Sequence, residues 1–238
     1  MYGIKFNGKH SYTDMGYTMP IDEREIGFPS KEKILVKVPF SNVEYDFSEV
    51  YGSQTYSSRM LKYGFNVLKE GNWTHQAMEF QKTKLINWLM NSNGKQRLYD
   101  DDIPGYYFLA EVESEASFVD DFETGTLSVT FKAYPFMIAD LSEGHDIWDE
   151  FNFELDVSQQ VDFTVTGTLL VTLINNGTPE VVPEIISSSQ MKLVKEGTTY
   201  TINAGVTKSS ELVLKSGENV INITGNGKIS FKFYKELI

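Results

Sequence analysis

Between Arg97 and Phe136 the chain alternates with a period of two, and this alternation restricts the fold more than any other stretch. Leu127, Val129 and Phe131 fall on one side of a pleated segment, while Thr126, Ser128, Thr130 and Lys132 fall on the other. That is the pattern of a strand with one buried face and one wet face. Upstream, Tyr107, Leu109, Glu111 and Glu113 oppose Tyr106, Phe108, Ala110 and Val112. Gly125 is expected to give the connection a residue that tolerates positive φ, and Pro135 to close the strand by removing a backbone donor.

Before this stretch, residues 2–19 read as a hairpin in which Ile4 and Phe6 alternate with Lys5, turning at Asn7-Gly8. Residues 20–31 carry two prolines, a glycine and five charges, so a loop or an arm toward a neighbouring subunit is expected. Glu32–Phe40 and Val43–Tyr51 are strand candidates, with Ile34, Val36 and Val38 on one face. From Tyr56 to Leu68 the apolar set Leu61, Tyr63, Phe65 and Val67 alternates with a mixed one. Thr74–Asn93 is the convincing helix: Met78, Leu85 and Leu89 form its stripe, Thr74 can cap it and Gly94 can end it.

Asp140–Glu150 has linker composition, and beyond it the texture changes. Short runs of Val, Ile, Leu, Phe and Thr recur between Gly, Asn, Pro and Ser, predicting seven or eight strands over 161–165, 169–174, 184–188, 191–194, 199–202, 211–214, 219–224 and 228–234. That is a β-sandwich signature. Asn175-Asn176-Gly177, Glu196-Gly197, Ser216-Gly217 and Gly225-Asn226-Gly227 are the expected turns. The predicted fold class is therefore mainly β: an α+β first domain over residues 1–140 with one helix (about 74–93), a linker over 141–150, and a C-terminal β-sandwich over 151–238.

Leu98, Tyr99, Asp100, Asp101, Ile103, Pro104, Tyr106 and Tyr107, followed by Gly125, Thr126, the strand to Phe131 and an aromatic before Pro135, resemble the distal tail (Dit) proteins of long, non-contractile-tailed bacteriophages. The opening YGIKFNGKHSYTDMG (residues 2–16) and the ending GENVINITGNGKISFKFYKEL (residues 217–237) are similar to that family's first hairpin and last two strands. The resemblance implies a galectin-like or jelly-roll form for the sandwich and a hexameric ring, single or stacked, at the tip of a viral tail. Its implied partners are the major tail tube protein, the tape measure protein, a tail-tip or tail-associated lysin protein and receptor-binding or baseplate proteins. The implied location is the virion tail tip. The resemblance implies no enzyme activity and no cofactor.

Composition bears on the alternatives. The net charge is −12, carried equally by both halves: 14 basic against 20 acidic residues up to residue 140, 7 against 13 after it. With no basic arm, nucleic-acid binding is not expected. No apolar run is long enough to span a membrane, and no basic region followed by an apolar stretch opens the chain, so neither a membrane anchor nor an export signal is expected. The absence of cysteine removes disulfides, thiolate metal sites and cysteine nucleophiles.

No catalytic, cofactor-binding or metal-binding residues are assigned. His10, His75 and His145 lie in separate segments and are read as surface histidines. Asp100, Asp101 and Asp102 are adjacent, so their side chains are expected to diverge at a solvated turn. Glu111, Glu113 and Glu115 alternate along a strand face at a spacing that glycosidase carboxylates use, yet a wet sheet face accounts for them. Trp148, Phe151 and Phe153 are expected to pack near the linker, and the first domain's many aromatics to serve subunit interfaces. The alternative to a tail hub is a carbohydrate-binding protein that attaches to cell-wall glycan through its C-terminal sandwich; a weaker third is a glycosidase with an ancillary sandwich.

Overall fold

A computed structural model of the chain describes residues 2–50, 52–67, 74–113, 117–121, 124–147 and 151–238. It is mainly β, and it divides into two compact units, Met1–Met137 with Ile238, and Ile138–Leu237.

The first unit is built on β1 (Ile4–Phe6), β2 (Lys9–His10), β3 (Arg24–Ile26), β6 (Arg59–Asn66), β7 (Gln96–Asp100), β8 (Tyr106–Val112), β9 (Ser117–Asp121) and β10 (Thr124–Ala133). All pair antiparallel in the order β2-β1-β7-β8-β10-β6-β3, with β9 beside β10. Leu127, Val129 and Phe131 of β10 are buried, as their alternation requires, opposite Phe65, Tyr63 and Leu61 of β6. Phe131 meets Phe6 and Tyr63 edge-on at centroid distances of 5.1 and 5.9 Å, the arrangement favoured by ring quadrupoles.

Helix α1 (His75–Met90) covers this core with Met78, Leu85, Trp88 and Leu89. Thr74 caps it, its side chain accepting from the Ala77 N–H. The helix ends at Asn91, short of the expected Asn93–Gly94, because Asn91 leaves helical geometry (φ −85°, ψ 52°). Its carbonyl accepts from Asn7 Nδ2 at 2.9 Å, which satisfies an acceptor the helix no longer uses.

Three expectations for this unit change. Residues 20–31 are more than a loop: a 3-10 turn (Ile21–Glu23) leads into β3, which pairs with β6 (Arg24↔Tyr63). The two long strands expected over 32–51 shrink to β4 (Leu35–Lys37) and β5 (Glu44–Asp46), a separate two-stranded ribbon. The residues before Gly125 contain β9, and Gly125 itself lies inside β10 opposite Asp120 without positive φ. The expected first hairpin forms at Asn7-Gly8 (φ 46° and 74°), though β2 is only two residues long.

The second unit is organised by β12 (Asp162–Asn175), β13 (Glu184–Ser187), β14 (Met191–Lys195), β15 (Thr198–Ile202), β16 (Gly205–Lys208) and β17 (Gly217–Lys232), a six-stranded antiparallel sheet. Short strands β11 (Met137–Ala139) and β18 (Glu236–Leu237) pair with each other outside this sheet. Strand β12 follows β17 along one whole edge, from Asp162↔Ser230 to Asn175↔Gly217. Strands β14 and β13 share the other edge, opposite residues 222–224 and 229–232.

Between those two contacts lie Gly225 (φ 155°) and Gly227 (φ 138°), with Gly167 (φ 79°) facing Gly225 across the ladder. This is where the long strands change direction, because both ends contribute to one core: Leu193, Ile202, Ile221 and Ile223 from one, Ile185, Ile229 and Phe231 from the other. The expected hairpin at 225–227 is thus a bend inside a continuous strand, and four expected strands merge into two. Residues 211–214 contribute only a bridge, Val181↔Leu214, while β16 takes the edge beside β13. Glu196-Gly197 forms the expected two-residue turn (φ 50° and 82°) between β14 and β15. Gly177 lacks positive φ; its N–H donates to Asn175 Oδ1 at 2.9 Å.

Residues 138–147 belong to the second unit. Glu143 is buried, accepts from Gln159 Nε2 at 3.0 Å and donates its N–H to the Phe233 carbonyl. Burial pushes the Glu143 carboxyl up.

Candidate assembly interface

The ribbon β4–β5 is the least self-sufficient part of the described chain. Its register places Leu35 opposite Asp46, Val36 opposite Tyr45 and Lys37 opposite Glu44. The N–H of Phe47 donates to the Ile34 carbonyl, and that of Val38 to the Val43 carbonyl. Ile34, Val36, Val38, Val43, Tyr45 and Phe47 therefore share one face, and all six are exposed. The other face carries Leu35, Lys37, Glu44 and an ion pair between Lys33 and Asp46 at 2.8 Å. That pair holds the Asp46 carboxyl well below the usual carboxylate range. At the tip, Phe40 is fully exposed with φ 61°, a conformation that costs a bulky residue free energy. An isolated two-stranded ribbon is marginal in water, and an amphipathic one has a face to bury.

The root of the ribbon is closed by a bridge between Lys31 and Tyr56, by a hydrogen bond from the Ser30 N–H to Ser57 Oγ at 3.0 Å and by one between the Ser30 and Ser57 hydroxyls at 2.9 Å. Beside it lies Arg59, 2% exposed, with its guanidinium 5.2 Å from the Phe108 ring and 6.0 Å from the Phe28 ring. Its Nε is buried and has no hydrogen-bond partner among the described residues. Burial lowers its pKa. Arg59 shares strand parity with Leu61, Tyr63 and Phe65, and a cation at a core-facing position was the one signal in the sequence that singles it out.

At the β2 end of the strand order, the β1–β2 turn and α1 enclose a groove of about 610 Å³. Met15 and Trp88 form its floor, and exposed Phe80 stands on its wall. Trp88 is held by its indole N–H, which donates to the Phe6 carbonyl at 3.0 Å.

The residues weighed for chemistry are dispersed. Asp100 accepts from Arg24 Nε at 2.9 Å and from Tyr63 Oη at 2.8 Å, while Asp101 faces His10 Nε2 at 3.1 Å. Asp102 lies 3.6 Å from Arg24 Nε. His10 Nδ1 accepts from the N–H groups of Tyr12 and Thr13, so Nε2 carries the proton that Asp101 receives. His75 opens α1, and His145 packs against Phe151 at 6.5 Å. Glu113 pairs with Lys132 at 2.8 Å, and Glu111 is half-buried nearby. Phe151 stacks edge-on with Phe153 at 5.2 Å. Glu115 and Trp148 lie outside the described residues. No group of three or more His, Asp or Glu side chains is placed to hold a metal ion among the described residues, and no described helix is long and apolar enough to cross a membrane.

The second unit has a shallow groove of about 510 Å³ on its outer sheet face, where Asp162, Thr164, Ile186, Ser188, Lys228 and Ser230 meet. Ile186 and Val206 face each other across β13 and β16, both exposed. The aromatic in this lining, Phe163, belongs to the core side and packs on Phe231 at 6.2 Å. Sugar stacking needs a ring face turned outward, and this groove offers none.

No family model matches the chain, and no curated protein matches it. Among solved structures, it superposes on the SPP1 Dit protein (gp 19.1), a paradigm of the hub adsorption apparatus in phages that infect Gram-positive bacteria. The TM-score is 0.66, over 100% of both chains. This chain has the fold of a phage Dit protein. At 14% identity the likeness to Dit lies in the course of the backbone, across both units, and not in side chains.

Proposed function

We propose that this protein is a structural subunit of a phage or prophage tail tip, a distal tail hub. In this reading six copies close a ring through the first unit, residues 1 to about 140. The ring joins the tail tube and tape measure protein on one side to the tail-tip or tail-associated lysin protein on the other. The second unit, a galectin-like sandwich over 151–238, carries receptor-binding or baseplate proteins outward. The protein makes and breaks no bond; it acts by rigid assembly in the virion.

The observation that carries this reading is the agreement with the SPP1 Dit fold along the full length of both chains. The exposed amphipathic ribbon supports it, since a ring subunit offers its neighbours two different surfaces. The test is the solution mass of the full chain by light scattering across a concentration series near neutral pH. A species near six times 27.1 kDa is expected. A strict monomer at high concentration, together with failure to bind purified tail tube protein, would overturn the reading.

A further inference from the structure

Asp156 and Lys235 lie 79 positions apart, one ahead of β12 and the other beyond β17, and their side chains form an ion pair inside the second unit. The Lys235 side chain is 1% exposed and that of Asp156 16%. In the other lysine–carboxylate pairs among the described residues, at least one partner is far more open to water. Both members are also held from other sides. Lys235 Nζ donates to the Leu155 carbonyl at 2.9 Å, and Asp156 Oδ2 accepts from the Asn152 N–H at 2.7 Å.

A third ionisable group shares the site. Glu143 is buried, and the charges of Lys235 and Asp156 both act on its carboxyl. Its N–H is bound to the carbonyl of Phe233, two residues before Lys235, and its Oε2 accepts from Gln159 Nε2 at 3.0 Å. The Gln159 amide is fixed in turn by both backbone groups of Ile174.

An amine touching a carboxyl group, with a second carboxyl beside them and little water, is the arrangement that amide condensation requires. We propose that Lys235 and Asp156 join in an intramolecular isopeptide bond, with Glu143 carrying the proton between the amine and the departing oxygen. The inference does not rest on the tail-hub reading. The bond forms once, as the chain matures, so the assembled subunit still acts on no other molecule.

The step balances without a co-reactant. Burial acts to raise the Asp156 carboxyl, yet the hydrogen bond from Lys235 holds it below its ordinary value, so the pair begins as ammonium and carboxylate. Proton transfer from Nζ to Oδ1 gives amine and acid, and it removes two charges that a dry site penalises. The Nζ lone pair then bonds to Cγ, from which contact and fixed orientation remove most of the entropic cost. Negative charge develops on Oδ2, where the Asn152 N–H already donates. Burial pushes the Glu143 carboxyl up, toward the form that can give a proton. Glu143 gives its proton to Oδ1 as the Cγ–Oδ1 bond breaks, takes the remaining one from Nζ, and ends as it began. Two protons and one carboxylate oxygen leave as water. The product closes β12 to β17 inside one covalent loop, which restricts the unfolded chain as a disulfide does in a protein that has cysteine.

The test is the intact mass of the folded, full-length chain, measured by electrospray mass spectrometry after denaturation. A mass one water below that of the sequence is expected, and a proteolytic digest should yield a branched peptide that joins the Asp156 segment to the Lys235 segment. Lys235→Arg and Asp156→Ala are expected at their full sequence masses, and Glu143→Gln at full mass in most of the sample. Circular dichroism checks that each variant folds. Full mass in the unmodified chain would overturn the proposal and leave an ion pair only; this result needs no variant. A missing water that persists in Lys235→Arg would place the dehydration elsewhere and overturn it as well. Complete reaction in Glu143→Gln would overturn the role given to Glu143. None of these masses depends on whether the chain forms a ring, so the tail-hub reading stands or falls separately by light scattering.

Discussion

Tyr63 Oη donates to Asp100 Oδ2 at 2.8 Å, and the same oxygen accepts from Arg24 Nε at 2.9 Å. Three residues from β6, β7 and β3, separated by up to 76 positions in sequence, meet at one carboxylate that is 3% exposed. Its other oxygen accepts from the Asp102 N–H at 3.0 Å, which fixes the turn that follows. Removing one member leaves charge behind in a site that water barely reaches. Asp100→Asn should therefore destabilise the protein by about 2 to 4 kcal/mol, and Tyr63→Phe, which removes one hydrogen bond to a charge, by about 1.5 to 3 kcal/mol. Urea unfolding measures both; losses under 0.5 kcal/mol would show that the cluster is better solvated than its burial indicates.

Alkaline pH should unfold the first unit ahead of what its net charge alone would do. Burial pushes the Tyr17 phenol up to about 12, and burial reinforced by the Asp100 charge pushes Tyr63 well above its ordinary value. In the unfolded chain both titrate near 10. Because the folded values are raised, the stability these phenols contribute is full below about pH 10 and is lost progressively above it. Chemical unfolding between pH 9 and 12 should show stability falling with pH, and the Tyr17→Phe, Tyr63→Phe pair should flatten that slope. An equal slope in the pair would refute the assignment.

Arg59 is the buried group with the least to lose. It keeps two ring contacts but has a buried Nε with no acceptor, so its charge is desolvated without an ionic partner in the described chain. Arg59→Met, which retains the packing stem, should leave the dilute protein as stable or stabilise it by up to about 2 kcal/mol. Thermal unfolding checks this, and a loss beyond 1 kcal/mol would mean that the guanidinium finds compensation.

Gly227 should be among the least replaceable residues of the second unit. Its φ is 138°, and a Cβ there would come 2.4 Å from Ser188 Oγ and 2.8 Å from Ser189 Oγ. Ser188 also accepts from the Lys228 N–H at 2.8 Å, so it cannot simply turn away. Gly227→Ala should cost about 1 to 3 kcal/mol. By contrast, Gly197→Asn, in an open two-residue turn that Asn tolerates, should cost well under 1 kcal/mol. Similar melting temperatures for the two variants would argue against a bend that requires glycine at 227.

Strand parity, the Asn7-Gly8 and Glu196-Gly197 turns, the Thr74 cap and the buried sets of β6 and β10 were legible in the amino-acid order, since each depends on residues within a few positions of one another. The same local logic misread Gly225-Asn226-Gly227. A glycine-rich triplet has the same preferences whether a strand reverses there or only bends, and the choice is made by β12 and β13, which pair with β17 on both sides of it. It likewise showed Ile34, Val36 and Val38 on one face but not that Val43, Tyr45 and Phe47 extend that face, because the ribbon's register is set across its turn.

Sequence alone thus determined the mainly β class, the helix and the inward-facing residues, all consequences of side-chain period and backbone preference. The tertiary structure decided which carboxylate Arg24 meets, that Arg59 pairs with none among the described residues, and that the β4–β5 ribbon stands outside the main sheet. Those are long-range facts: they follow from which strands become neighbours, and pairing partners far apart in the chain leave no local mark on either.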